Sequence, residues 1–110
     1  MTVRIEFSRR ALEQLETLYQ YIESVASPAI AARYTGAVFD YCQSLQTFPM
    51  RGTRRDDIRP GVRVTNYRKR TVIAFVADAD HVLVLGVFHG GQDYESALDE
   101  EPGTQDPSSL

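Results

Sequence analysis

Three strand-like runs follow one another near the C-terminal end of the chain, with only short connections between them. Residues 62–65 alternate apolar and polar side chains, whereas residues 71–77 and 82–88 are apolar on both faces. Turns are predicted at Arg68-Lys69 and at residues 78–80. Because connections this short join only antiparallel neighbours, these runs predict an antiparallel sheet. The run 82–88 is expected to be a central strand that is covered on both sides.

A strand and two helices are predicted before these runs. Val3, Ile5 and Phe7 alternate with polar residues, which indicates a half-buried strand. Ser8 is expected to cap a helix whose apolar stripe runs to Val25. Ser27-Pro28 ends that helix and begins a second one, which Pro49 stops. The short connection predicts an antiparallel helical hairpin, and Gly36 either allows a close approach of the two helices or is a tolerated defect.

The predicted fold class is therefore α+β. It has an N-terminal strand, an antiparallel two-helix hairpin and then a three-stranded antiparallel sheet, with the helices on one face of the sheet. The length of 110 residues fits one domain. That domain is expected to span residues 1–98, and residues 99–110, which are acidic and contain two prolines, are expected to form a disordered tail.

Composition limits the compartment and the cofactors. Cys42 is the single cysteine, so no intrachain disulfide can form, and it is expected to be a small buried apolar side chain. There is no signal segment, and the longest apolar run has seven residues, which predicts a cytoplasmic protein without a membrane span. No spacing of cysteine and histidine suggests zinc, and Gly90-Gly91 lacks the pattern of a phosphate loop, so no metal and no cofactor are expected.

Charge is distributed unevenly along the chain. The net charge is −3, yet residues 51–70 carry eight basic and two acidic groups, and residues 71–110 carry eight acidic groups without any lysine or arginine. The basic segment is either a solvated face or a contact for an acidic protein or a nucleic acid. The nucleic acid is the weaker alternative, because the pI of the whole chain is about 5.3. His81 is interpreted as a solvated turn residue, and His89 as either a structural cap or part of a site.

Four segments, in order and spacing, resemble the RelE/ParE family of toxins from bacterial toxin–antitoxin operons. The resemblance as a whole covers about residues 3–98, and the ParE-like branch fits best. The segments are Ser8-x-x-Ala11 with Leu15, Leu18, Tyr21 and Ile22; Leu45-x-x-Phe48-Pro49-x-x-Gly52; Asp57-Ile58-Arg59-Pro60-Gly61-Val62-Arg63; and Val87-Phe88-His89-Gly90-Gly91-Gln92-Asp93-Tyr94.

The resemblance implies a plasmid-stabilising type II toxin whose sheet lies beneath a helical hairpin. It implies neutralisation by a ParD-like antitoxin in a hetero-oligomer, inhibition of DNA gyrase by the free toxin, no membrane partner, and no direct DNA binding except through the antitoxin. On this basis, we expect the antitoxin to contact Leu15, Tyr19, Ile22, Arg59 and Arg63. We expect the target to contact Arg68, Lys69, His89, Gln92 and Tyr94.

A second class of function stays open at this stage. RelE-type relatives are ribosome-dependent mRNA endoribonucleases, and that reaction needs cations and proton-transferring groups around the scissile phosphate. Residues 71–98 contain no lysine or arginine, so such a site would have to combine Arg63 with His89 and Tyr94. The expectation is therefore an inhibitor without catalytic residues, with the nuclease as the alternative. A toxin fold with another target, or without activity, is a third possibility.

Overall fold

The computed structural model describes residues 3–99, and residues 100–110 of the predicted tail lie outside the described residues. The elements of the chain, in order, are β1 (Arg4–Phe7), α1 (Arg9–Val25), α2 (Pro28–Gln43), a 3₁₀ turn (Ser44–Gln46), β2 (Thr53–Arg54), β3 (Arg63–Tyr67), β4 (Thr71–Ala77), β5 (His81–His89) and α3 (Tyr94–Asp99). The α+β class and the order of strand, hairpin and sheet are confirmed. None of the described helices is long and apolar enough to cross a membrane.

The sheet has five strands in the order β1-β5-β4-β3-β2. β3, β4 and β5 are antiparallel neighbours, as the short turns predict, and β1 lies parallel to β5 with Ile5 opposite Val82. The predicted three-stranded sheet is therefore two strands too small. The N-terminal strand joins one edge, and the two-residue β2 at the other edge was not predicted.

Both long helices begin at the serines that the sequence indicates. Ser8 Oγ accepts a hydrogen bond from the Ala11 amide at 3.0 Å, and Ser27 Oγ accepts one from the Ile30 amide at 3.1 Å. No atom outside the helix lies within 4 Å of the place where a Cβ on Gly36 would stand. The interpretation that Gly36 allows a close helix approach is therefore wrong.

Two apolar cores lie on opposite faces of the sheet. The hairpin core packs α1 and α2 against one face of β4 and β5, and it includes Val38, Cys42, Leu45, Ile73 and Phe75. Cys42 is fully buried, as expected, and burial raises the pKa of its thiol to about 12. The rear core packs α3 against the other face. Its buried members are Val62, Val64, Ala74, Leu85, Phe88 and Leu98. β5 is thus covered on both sides, as predicted, although α3 itself was not predicted.

A β-bulge in β5 determines which face each of its last residues occupies. Ala74 pairs with Gly86 and Phe75 pairs with Val84, so Leu85 is the extra residue. After the bulge, Val87 lies in the hairpin core and Phe88 in the rear core. A Cβ on Gly86 would come within 2.6 Å of the Phe88 ring, which explains the glycine at this position.

Helix α1 covers the edge of β5 beyond the end of β1. The Ser8 hydroxyl donates to the Leu85 carbonyl at 2.9 Å, and Gln14 Oε1 accepts from the Val87 amide at 2.7 Å. These side chains satisfy backbone groups that would otherwise need another strand. As a result, α1 is held beside the end of β5, where His89 lies.

Candidate functional site

Most of the residues that the sequence singles out fall on three separate surfaces. The first is a groove between α1 and α2, the second is a cluster around Arg55 on the rear face, and the third is a row of aromatic and basic side chains along the open end of the sheet. Two of the predicted contacts, Arg59 and Arg63, lie apart from all three, in and next to the loop before β3.

The hairpin groove has a volume of about 510 Å³. Leu15, Tyr19 and Phe39 form its apolar wall, with Glu16 and Asp40 among its lining residues. Phe39 is 39% exposed and stacks on Phe7 with 5.1 Å between ring centroids. Such a groove fits the apolar side of a helix that also carries basic residues.

Arg63 has a structural role in this fold. Its guanidinium donates to the carbonyls of Met50, Arg51 and Gly52, the last two at 3.1 and 3.2 Å. These bonds hold the chain that leads into β2. Arg63 pairs with Phe75 at one end of the sheet, whereas His89 pairs with Thr71 at the other end, so the two side chains do not converge. Arg59 lies half-buried in the preceding loop.

The rear cluster centres on Arg55. Its guanidinium binds Asp57 and Glu95, each at 2.8 Å, and donates to the Tyr94 hydroxyl at 3.1 Å. The hydrogen bond from Arg55 lowers the pKa of Asp57, and the bonds to both carboxylates raise the pKa of Arg55 further above its usual value. Tyr94 also packs on Phe88, so it helps to attach α3 to the rear face, away from His89.

His89 is joined to the hairpin through buried hydroxyl groups. Its Nδ1 lies 3.0 Å from Thr71 Oγ1, and that hydroxyl is 2.8 Å from the Tyr34 hydroxyl. Burial, and then the charge of Arg70, lower the pKa of His89. The neutral ring can accept a hydrogen bond from the Thr71 hydroxyl while Thr71 accepts one from the Tyr34 hydroxyl. The amide of His89 donates to Gln92 Oε1 at 2.9 Å, which fixes the loop that follows the strand.

Next to His89 lies a cavity of about 600 Å³ between α1 and the end of β5. Tyr21, Arg70, His89 and Gln92 are among the side chains that line it. Arg68 and Lys69 form the adjacent β3–β4 turn, with positive φ angles of 56° and 73°, and both side chains are exposed. The structure therefore brings four of the five predicted target contacts to one end of the sheet and leaves Tyr94 on the other face.

A continuous row of aromatic rings, with the guanidinium group of Arg51 among them, extends from this end along the side of the sheet. We name it the aromatic row; in spatial order its members are Phe48, Arg51, Tyr41, Tyr67, Tyr34, His89 and Tyr21. Arg51 lies between two rings, 4.9 Å from the centroid of Tyr41 and 4.9 Å from that of Phe48. Arg68 covers Tyr67 at 5.4 Å.

This row was not predicted from the sequence, in which Arg51 counted only as one charge of the basic segment. A signal was nevertheless present, because Tyr34 and Tyr41 are seven residues apart and must share one face of α2. The contact of that helix face with Tyr67 of β3 could not be predicted from the spacing of residues in the sequence.

The arrangement does not match that of a nuclease centre. Within residues 3–99, the three groups of the nuclease alternative occupy three places: Arg63 binds a loop, Tyr94 binds Arg55 and His89 binds Thr71. Among these described residues, the one grouping that could hold a metal is Asp78, Asp80 and His81 in the β4–β5 turn. There, Asp78 accepts the amides of Asp80 and His81, which lower its pKa, so the group is a hydrogen-bonded turn.

Comparison with known proteins finds one family model and related solved structures. A family model described as "ParE toxin of type II toxin-antitoxin system, parDE" matches residues 5–94. A chain in a solved structure described as "Chromosomal ParDE TA system from P. aeruginosa" superposes with a TM-score of 0.70 and 18% sequence identity, covering 80% of this chain and 96% of that chain. At this identity the structural match concerns the fold alone. A search among curated proteins finds no match.

Proposed function

Because the chain belongs to the ParE toxin family of type II toxin–antitoxin systems, we propose that it acts by binding and inhibiting DNA gyrase and that a ParD-like antitoxin neutralises it. The observation that carries the inhibitor hypothesis is the dispersal of the candidate catalytic groups. Arg63, Tyr94 and His89 each have a separate structural partner. Cleavage of RNA requires such groups around one phosphate, so binding through surface complementarity is the better-supported activity.

The surface proposed for gyrase is the end of the sheet that carries His89. Arg68, Lys69 and Gln92 are exposed there, and the positive turn projects from the body of the protein. The cavity beside His89 adds a concave apolar wall from Tyr21 and Leu18. Exposed cations around an aromatic recess suit an acidic segment of a protein partner.

The surface proposed for the antitoxin is the hairpin groove. Leu15 and Tyr19 line it, whereas Ile22 lies one helical turn further on and lines a second concavity beside Tyr34. An antitoxin helix in the groove would place basic side chains near Glu16 and Asp40. The acidic residues of the antitoxin are expected near Arg59 and Arg63, in and next to the loop before β3.

A supercoiling assay with purified toxin tests the target. We expect inhibition at a several-fold excess over gyrase, and a clear loss of inhibition in the double variant Arg68→Ala/Lys69→Ala. Arg4→Ala removes a similarly exposed cation from the opposite edge of the sheet and serves as the matched control. Normal supercoiling in the presence of folded wild-type toxin would contradict the proposal. Codon-specific cleavage of ribosome-bound mRNA that His89→Ala abolishes would establish the nuclease instead.

Binding of the antitoxin is tested separately, in a titration with its C-terminal segment. Phe39→Asp places a charge in the groove and should weaken affinity by at least about tenfold, whereas Phe48→Asp changes a more exposed ring outside the groove and should not. Arg59→Glu tests whether acidic residues of the antitoxin bind near Arg59, and it should weaken the affinity if they do. Unchanged affinity in Phe39→Asp would remove the groove from the proposal.

A further inference from the structure

We propose that the cavity beside His89 binds one carboxylate side chain of the target protein. Arg70 supplies the positive charge, and the side-chain amides of Gln14 and Gln92 supply hydrogen bonds. This inference rests on the proposed function, because it names the chemical group of gyrase that the target surface recognises. It also adds Gln14 and Arg70 to that surface, since neither residue was among the predicted target contacts.

The cavity of about 600 Å³ lies at the His89 end of the aromatic row, and three parts of the fold surround it. Helix α1 supplies Gln14, the β3–β4 turn supplies Arg70, and the loop after β5 supplies Gln92. The amide of Gly90 donates to the Arg70 carbonyl at 2.9 Å, which holds the loop against the turn. Side chains from three separate segments therefore line one recess.

Hydrogen bonds to the backbone fix the orientation of both glutamine amides. Gln14 Oε1 accepts from the Val87 amide at 2.7 Å, and Gln92 Oε1 accepts from the His89 amide at 2.9 Å. Because the oxygen of a glutamine amide only accepts and its nitrogen only donates, Nε2 is the free end of both side chains. Neither Nε2 group donates to another part of residues 3–99, so both are available to a ligand.

The lining of the cavity offers several donors and no negative charge. Within residues 3–99, Arg70 is the one cation that lines it, and no aspartate or glutamate does. The Arg70 side chain has no ion pair within the same residues. When the Thr71 hydroxyl donates to Nδ1 of neutral His89, the ring carries its proton on Nε2 and is a further donor. An anionic acceptor therefore complements this lining.

The amount of positive charge favours a carboxylate over a phosphate. One guanidinium balances the single charge of a carboxylate and can donate two parallel hydrogen bonds to it. A phosphate monoester carries a charge of about −1.5 to −2 at neutral pH, and part of that charge would stay unbalanced beside the apolar side chains of Leu18 and Val87. The exposed cations Arg68 and Lys69 do not line the cavity, so they are available to acidic residues that flank the bound one.

Nearly isosteric substitutions test the two glutamines. Gln14→Glu and Gln92→Glu keep an oxygen that accepts from the backbone amide, but each replaces the free donor with a second oxygen and adds a negative charge. Each should weaken binding of the full chain to gyrase by at least about tenfold in surface plasmon resonance, because a carboxylate would then face a carboxylate. Inhibition of supercoiling should require correspondingly more toxin. Thermal unfolding curves report whether each variant keeps the fold.

Gln20→Glu is the matched control. It makes the same change on the same helix, at an exposed residue that does not line the cavity, and should leave the affinity within about twofold of the wild type. Suppose that the wild type inhibits gyrase and that folded Gln14→Glu and Gln92→Glu bind gyrase as tightly as Gln20→Glu. This result would overturn the inference and leave the proposed function intact.

A second measurement does not depend on gyrase. The side-chain NH₂ signals of Gln14 and Gln92 are followed by NMR while the full chain is titrated with capped tetraglutamate, capped tetraglutamine or inorganic phosphate. We expect both signals to shift with tetraglutamate and to stay unchanged with tetraglutamine. No response to tetraglutamate, or tighter binding of phosphate, would overturn the assignment of a carboxylate. A wild-type toxin that binds tetraglutamate in this cavity but leaves supercoiling unchanged would retain the carboxylate site and contradict gyrase as the target.

Discussion

The two faces of the sheet are covered by very different amounts of structure. Helices of 17 and 16 residues cover the hairpin face, whereas the six-residue α3 and the loop before β3 cover the rear face. The hairpin arises from local helical periodicity and two serine caps. The rear cover depends on contacts between distant residues, such as Arg55 with Glu95 and the Arg10 guanidinium with the Ala97 carbonyl. The cover of the hairpin face is therefore determined by local sequence pattern, whereas the cover of the rear face is determined by contacts between distant residues.

The largest expected effect comes from a matched pair of aromatic residues, one on each face. Phe75 is fully buried in the hairpin core, and Phe88 is 3% exposed in the rear core. Phe75→Ala should lower the free energy of unfolding by about 4–5 kcal/mol and Phe88→Ala by about 3 kcal/mol, because the thinner cover can collapse into the cavity. Urea denaturation measures both. An equal or larger loss for Phe88→Ala would show that the rear core contributes at least as much as the hairpin core.

The attachment of α3 is tested by Leu98→Ala. Leu98 is fully buried in the rear core, so its truncation should cost about 2–3 kcal/mol if α3 unfolds together with the rest of the domain. Hydrogen exchange of the α3 amides should then follow global unfolding. A loss below about 0.5 kcal/mol, with fast exchange in the wild type, would mean that α3 opens independently of the sheet.

The two helix caps of the hairpin differ in whether the serine also contacts the sheet, so their removal should cost different amounts of stability. Ser8→Ala removes both the cap on Ala11 and the bond to the Leu85 carbonyl, and should cost about 1–2 kcal/mol. Ser27→Ala removes only an exposed cap and should cost about 0.5–1 kcal/mol. Thermal unfolding of the two variants measures the difference. Equal losses would show that the contact with β5 adds nothing to the cap.

The smallest expected effect is the pH dependence that His89 confers. Burial, and then Arg70, lower the pKa of folded His89 below its unfolded value of about 6.5, so the unfolded chain takes up the proton first. Stability should therefore be unaffected by this group above pH 7 and should fall as the pH drops through the unfolded and then the folded pKa. His89→Gln should unfold with a weaker pH dependence between pH 7.5 and 5.5. The same slope in both proteins would remove His89 as the cause.

Much of the fold could be predicted from sequence, for reasons that are local. Ser8, Ser27 and Pro28 mark helix starts through hydrogen bonds within a few residues, and the turns at 68–69 and 78–80 force antiparallel pairing. β2 has two residues and α3 has six, which is too short for a periodic pattern. The parallel pairing of β1 with β5 depends on the closure of the whole chain.

The candidate surfaces were predicted less completely than the fold. His89, Arg68 and Lys69 lie together because they are at the ends of neighbouring strands, which strand order already suggests. Tyr94 lies on the opposite face because residues 90–93 carry the chain around the end of the sheet. The bonds from Arg63 to the loop before β2 depend on carbonyl positions that no sequence pattern encodes.

The partnership of β1 with β5 has a consequence for how the molecule forms. Arg4 lies opposite His81, so one edge of the sheet joins segments from nearly opposite ends of the domain. The chain loses the entropy of closing this long loop before the contacts between β1 and β5 can stabilise the fold. Topologies of this kind therefore fold slowly compared with helical bundles. During synthesis, β1 therefore has no partner strand until β5, near the end of the domain, has left the ribosome.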